Sequence, residues 1–201
     1  MPETKRHKDM PKILRLRHYG DPILWQKARP VAAPAPEILA LAEDMIATMY
    51  DSDGIGLAAP QIGHAIRLIV VDVRSAQPEA WPPRSPGEQM LTARMPLVLL
   101  NPRILESSPD REICEEGCLS LPDIHGPVER PATVLLQATL ADGSEIRTEC
   151  GRLFARCLQH EIDHLDGITF DRRLPAGVTE KLRPQLDGLE KRTRKRLRRN
   201  S

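Results

Sequence analysis

Proline interrupts this chain 19 times in 201 residues, against an average usage of roughly 5%. Each proline fixes φ and removes an amide donor, so long uninterrupted helices are excluded over most of the length. Strands, turns and extended loops must carry the fold, with a few helices between them. Hydrophobic residues make up 40%, enough for a modest core in one domain. No apolar run approaches the ~18–20 residues that span a bilayer. The start, Met1-Pro2-Glu3-Thr4-Lys5-Arg6-His7-Lys8, lacks the apolar stretch of a signal peptide. The chain is therefore expected in the cytoplasm, with no membrane partner. Four cysteines are too few to staple a chain of this length, and in a reducing compartment they read as thiols. Aromatic residues are only 3%, which argues against stacking platforms for single-stranded nucleic acid. No specific DNA partner is expected.

The expected organisation has three parts: a loose polar extension over 1–12, a metallohydrolase domain over 13–175, and a helical basic tail over 176–201. Apolar positions at Ile38, Leu39, Leu41, Ala42, Met45, Ile46 and Met49 have helical spacing, and Pro36 suits the first turn. The β-branched run from Arg67 to Val73 predicts a buried strand. Residues 74–95 read as an exposed loop pinned by Trp81-Pro82-Pro83. Leu97 to Leu100 reads as a strand stopped by Asn101-Pro102. Thr133 to Leu140 and Ser144 to Thr148, joined by Asp142-Gly143, predict a hairpin. Leu153, Phe154, Cys157, Leu158, Ile162 and Leu165 recur at helical spacing, and Gly167 stands where a C-terminal stop belongs. A last helix, kinked or delayed by Pro184, is expected over about 179–199. Strands precede helices with little β-α-β alternation, so the class is α+β. The last twelve residues carry seven Lys/Arg and one acid, which leaves the body with a net charge of −5. Such an asymmetry assigns any polyanion to the tail.

The sharpest chemical feature is His160-Glu161-Ile162-Asp163-His164. Residues four apart share one helix face, so two imidazoles there can hold one metal ion. Glu161 is offset by one position and reaches a water on that metal without ligating the ion itself. Neutral nitrogens hold the metal while a free carboxylate accepts the proton. Asp163 or Asp166 is placed to orient a ligand imidazole. The third ligand is less direct. The extended zincin form H-E-x-x-H-x-x-G-x-x-H fails, because Phe170 stands where the last His belongs. Glu180 and Glu190 remain downstream. Upstream, Cys118 in Glu116-Gly117-Cys118-Leu119-Ser120 offers a thiolate for zinc or ferrous iron, and Gly117 lets the backbone come close. Cys114, Cys150 and Cys157 read as small hydrophobes.

A third segment, Gly54-Ile55-Gly56-Leu57-Ala58-Ala59-Pro60-Gln61, is no phosphate loop, since no Lys-Ser/Thr follows it. Its small residues allow close approach of a ligand. Gln61 is a neutral amide donor suited to polarising a carbonyl.

Taken together, Gly54–Gln61, Glu116–Ser120 and Gln159–His164 resemble the motifs of the peptide deformylase family, in the same order. Tyr19-Gly20-Asp21-Pro22, Asn101-Pro102 and Arg130-Pro131 add to the likeness, which spans about residues 13–175. The resemblance implies an α+β fold, with mixed or antiparallel sheets packed around a central metal-binding helix. It implies one metal per chain on Cys118, His160 and His164, typically Fe²⁺, with Zn²⁺, Ni²⁺ or Co²⁺ able to occupy the site. Glu161 would be the general base and acid. Gln61 and the Leu119 N–H would hold the oxyanion. Gly56 and adjoining backbone, with Glu116 and Gly117, would bind the substrate. Ile55, Leu153 and Cys157 would line a methionine pocket, and Arg156 would pair with Glu116. The implied activity removes the N-formyl group from the initiator methionine of nascent polypeptides and releases formate. The implied partners are N-formylmethionyl peptides and, through the basic tail, the ribosome. Two other readings share the motif. One is an endopeptidase on internal bonds. The other is a ribosome-binding protein with a structural metal, which needs a fourth protein ligand such as Cys114.

Overall fold

A computed structural model describes residues 10–76 and 85–199. Its centre is a five-stranded antiparallel sheet formed by β1 (Gly56–Ala58), β2 (Leu68–Val71), β3 (Leu97–Ser107), β6 (Thr133–Leu140) and β7 (Glu145–Gly151), in the order β1-β2-β3-β6-β7. A second sheet is the hairpin of β4 (Arg111–Cys118) and β5 (Leu121–Pro131). Four helices complete the α+β fold: α1 (Pro36–Asp51), α2 (Pro86–Leu91), α3 (Arg152–Leu165) and α4 (Ala176–Arg199).

The period-two pattern of β2 explains the layering. All four of its residues are buried. Ile69 and Val71 face the cluster that includes Phe154, Leu158, Ile162 and Leu165 of α3. Leu68 and Val70 face the cluster that includes Met45 and Met49 of α1. A strand with apolar residues on both faces needs a helix on each. The sheet is accordingly sandwiched between α1 and α3. The third cluster joins β5 and α4 through Leu121, Val128, Leu186 and Leu189.

Several local expectations need correction. Residues 74–95 are no simple exposed loop. Ser85 caps α2 by accepting from the Glu88 amide, and the Glu88 carboxylate accepts from the Ser85 amide. That reciprocal pair is a capping box, followed by Pro86 at the first helical position. Leu91 and Met95 then enter the main core. The segment Trp81-Pro82-Pro83 lies outside the described residues.

β3 does not stop at Asn101-Pro102 but continues to Ser107 across a shift in register. Asn101 adopts φ 52°, which asparagine tolerates better than most residues. Its amide group exchanges two 2.8 Å hydrogen bonds with the backbone of Val31. The proline therefore falls at a bulge rather than at an end. α4 begins earlier than expected and runs through Pro184, which is exposed. The long β4–β5 hairpin was not foreseen. Arg-Glu-Ile-Cys-Glu-Glu has weak strand propensity, and five of its six residues are exposed. Among the described residues, no helix is long and apolar enough to cross a membrane.

Candidate active site

α3 is the spine of the site. It is buried nearly all round, with eleven of its fourteen residues out of solvent. Its apolar residues fill the main core. His160 and Glu161 line a cavity beside it, and His164 is buried one turn further along the helix. Gly167 ends the helix in the left-handed region at φ 73°. A Cβ there would stand 2.7 Å from the Trp25 carbonyl oxygen, so glycine is required for conformation and for space.

Cys118 arrives from the end of β4, where the register shifts between Gly117 and Cys118. The shift turns its thiol toward α3. Cys118 Sγ lies 3.2 Å from His164 Nε2, and one ligand atom from each of Cys118, His160 and His164 lies within 4.8 Å of the others. The expected residues are thus brought together. The donor set, one soft sulfur and two imidazoles, suits a borderline or soft divalent metal.

Further observations fit a metal there. His164 presents Nε2 to Cys118, and its Nδ1, on the far edge of the ring, is buried without a hydrogen-bond partner among the described residues. Burial, then the charges of His160 and Arg130, hold His164 well below its ordinary value, which favours the neutral, ligating form. His160 Nδ1 is held by Glu116 Oε2 at 3.0 Å, which leaves its other nitrogen for the cavity. Burial disfavours the His160 imidazolium, but hydrogen bonds with Cys118 and Glu116 outweigh it and shift the group upward.

The carboxylate that orients a ligand is therefore Glu116, not Asp163 or Asp166. Asp166 pairs with Arg67 at 2.7 Å, and Asp163 pairs with Arg130 and Arg173. Glu116 also receives both arms of Arg130, at 2.7 and 2.9 Å, and Arg156 at 2.7 Å. The expected Arg156–Glu116 pair is present. Burial alone would raise the Glu116 carboxyl. The hydrogen bonds from His160 and Arg130 reverse that and hold it well below the usual range. Arg130 is the residue that sequence reasoning missed. Only the Arg-Pro dipeptide hinted at it, and its neighbours at 116 and 163 are remote in sequence.

Glu161 is 4% exposed, and its Oε2 has no partner. Burial pushes its carboxyl up to about 7, with His160 opposing the shift and Glu116 adding to it. A carboxyl in such surroundings has the chemistry to exchange a proton near neutral pH. Gln61 is fixed by its own backbone turn. Its Oε1 accepts from the Ala58 amide at 2.7 Å, so Nε2 faces Cys118 Sγ at 3.5 Å and Ser120 Oγ at 3.3 Å.

The cavity has a volume of about 550 Å³. Gly54, Ile55 and Gly56 line it together with residues 115–119. Ile55, Leu153 and Cys157 all reach it. β1 is an edge strand of its sheet, so its free side has backbone groups to offer. Gly56 has no room for a side chain, since a Cβ would lie 2.5 Å from Glu161 Oε1 and 2.8 Å from Cys157 Sγ. Glu180 and Glu190, the carboxylates considered downstream, are not in the ligand group. Neither is Cys114, which is exposed. Among the described residues the closed four-ligand set of a structural zinc site is absent.

Comparison with known proteins places the chain in a family. A family model described as polypeptide deformylase matches residues 13–178. The peptide deformylase of Rhizobium meliloti (strain 1021) is 45% identical over 150 residues, which is 75% of this chain and 78% of that protein. That of Opitutus terrae is 41% identical over 165 residues, 80% of this chain and 84% of its own. Among solved structures, the Thermotoga maritima peptide deformylase matches with a TM-score of 0.70 at 36% identity, over 81% of this chain and 98% of its own. Peptide deformylase 1B of Arabidopsis thaliana, solved with an inhibitor, gives 0.78 at 33% identity, over 91% and 93%.

Proposed function

This chain belongs to the peptide deformylase family, and from that premise we propose how its residues divide the work of deformylation. The protein is a metal-dependent hydrolase that removes the N-formyl group from nascent polypeptides. The observation that carries the residue assignment is the convergence of Cys118, His160 and His164 beside the buried, unpartnered Glu161 oxygen.

Cys118 Sγ and one nitrogen from each of His160 and His164 would hold the metal. When bound, the ion supplies Lewis acidity that makes a water nucleophilic near neutral pH. Glu161 accepts a proton from the attacking water as its oxygen bonds to the formyl carbon. The same carboxyl then returns that proton to the methionine nitrogen as the carbon–nitrogen bond breaks, so the products are formate and a free amine. Gln61 Nε2 and the Leu119 N–H donate to the developing oxyanion, and the Ala58 bond keeps the Gln61 amide aimed. Gly56 and Gly117, which both line the cavity, offer backbone to an extended peptide laid along the β1 edge. Ile55, Leu153 and Cys157 receive the methionine side chain. Glu116 acts from behind: its carboxylate is occupied by Arg130, Arg156 and His160, so it orients His160 rather than touching substrate.

The resident metal in this reading is Fe²⁺, which the thiolate of Cys118 suits. The address is the cytoplasm, and the exposed cations of α4 dock the enzyme on the ribosome. The reaction is tested by formate release from formyl-Met-Ala-Ser, using protein prepared without oxygen and metal analysis on the same sample. Glu161→Gln should keep its metal and lose about 10²–10⁴-fold in turnover. Near-normal turnover in a metal-replete variant overturns the assignment. Iron close to one equivalent is expected, and a sample fully active with zinc alone overturns that choice.

A further inference from the structure

Five cations and no carboxylate line a cleft of about 570 Å³ between the N-terminal segment and α4. They are Arg15, Arg192, Lys195, Arg196 and Arg199. The four on α4 recur at helical spacing, so they share one face of the helix. The helix is held in place by a neighbouring face, on which Leu186, Leu189 and Thr193 are buried. Gly20 adds a close approach: a Cβ there would lie 2.9 Å from the Glu190 Cα. The body then brings a fifth cation, Arg15, toward the other four.

The nearby carboxylates are engaged elsewhere. Glu190 pairs with Arg194, which does not line the cleft. Asp21 accepts from Arg17 and from the Ile23 amide. Arg196 Nε is buried with no acceptor among the described residues, and so is Arg17 Nε. Burial, then the charge of Arg15, lowers Arg196, and Arg17 adds to the effect against Asp21. Burial and the charges of Arg196 and Arg15 lower the neighbouring His18 as well.

Like charges gathered on one face destabilise a fold, and a buried guanidinium donor without an acceptor adds to the cost. A multiply charged oxyanion removes both penalties at once. A single carboxylate satisfies one guanidinium fork, whereas a phosphate presents several oxygens in different directions. We propose that the cleft between Arg15 and α4 is a binding site for phosphate groups. It stands apart from the catalytic cavity and does not depend on the catalytic assignment. Leu16 and His18 follow Arg15 closely and line the catalytic cavity, so an anion bridging Arg15 to α4 braces that wall.

The test is calorimetric titration of the full, metal-loaded chain at low ionic strength. One arm uses inorganic pyrophosphate, and the other a 5′-phosphorylated RNA dinucleotide. Arg15→Ala and Arg196→Gln should each weaken binding by about tenfold, the weight of one charge-assisted hydrogen bond. Arg183→Ala removes equal charge from the same helix outside the cleft, and should change affinity less than about twofold. Without anion, Arg196→Gln should raise the thermal midpoint, because it relieves repulsion. Tighter binding in the pyrophosphate arm identifies a free polyphosphate, and tighter binding of the dinucleotide identifies phosphate carried on a nucleic acid. Equal losses in all three variants, or no binding in either arm, overturn the site.

Discussion

At the scale of single residues, the site depends on positions where nothing larger fits. Gly56 is the sharpest case. The Cβ of an alanine would meet Glu161 Oε1 at 2.5 Å and Cys157 Sγ at 2.8 Å, both below contact distance. Neither group can retreat freely, because Glu161 is held in α3 and Cys157 Sγ donates to the Ile55 carbonyl at 3.5 Å. Gly56→Ala should therefore displace the carboxylate while leaving Cys118, His160 and His164 in place, since none of them is among the nearest atoms its Cβ would meet. A loss of about 10²-fold in turnover is expected, the usual penalty for misplacing a reacting group by about an ångström. Metal content should be unchanged, and the two readouts separate this effect from loss of the metal. His160, Glu161, His164 and Cys118 were legible in the sequence because their chemistry is specified by residue type and spacing. Glu116 and Arg130 were harder. A buried ion pair between strands has no sequence period, so its partners show only once the hairpin is folded against α3.

At the scale of elements, legibility followed periodicity. α1, α3, β2 and the β6–β7 hairpin carry apolar residues at the spacing their geometry demands, and they appear where that spacing places them. β4 escaped because its residues are mostly charged and exposed. α2 escaped because a helix of six residues is too short to show a period. Its capping box, Ser85 to Glu88, was the readable signal.

The join between α1 and β2 has a pH dependence of its own. Asp72 accepts from Tyr50 OH at 2.6 Å and from Arg74 Nη2 at 2.6 Å. Burial would raise the Asp72 carboxyl, but the hydrogen bonds from Arg74 and Tyr50 prevail and lower it below its ordinary 3.8. A carboxyl lowered by folding contributes stability above its unfolded value, and that contribution fades as the pH falls through the folded value. Asp72→Asn should melt below the wild type at neutral pH. The gap should narrow as the pH drops from about 5 to about 3. A gap of constant width would show that the charge of Asp72 is not its source.

At the scale of the whole molecule, the near-zero net charge conceals a dipole. Seven of the twelve residues from Glu190 onward are cations, while the remainder of the chain is acidic by five. α4 is no loose appendage, since Leu186 and Leu189 are buried against β5 and its neighbours. The cations are therefore presented at a fixed orientation to the catalytic cavity. Lys191 and Arg198 are both exposed, and neither lies in the catalytic cavity. If they meet ribosomal RNA, binding must release counterions and fall steeply with salt. Reversing both charges, Lys191→Glu with Arg198→Glu, should weaken co-sedimentation with ribosomes by about tenfold or more at low salt. Raising the salt should narrow the difference between variant and wild type, because screening removes what the substitution removed. Turnover of formyl-Met-Ala-Ser should stay within about twofold, since a free peptide needs no docking. Ribosome binding that ignores both salt and the reversed charges would place the contact on another face of the molecule.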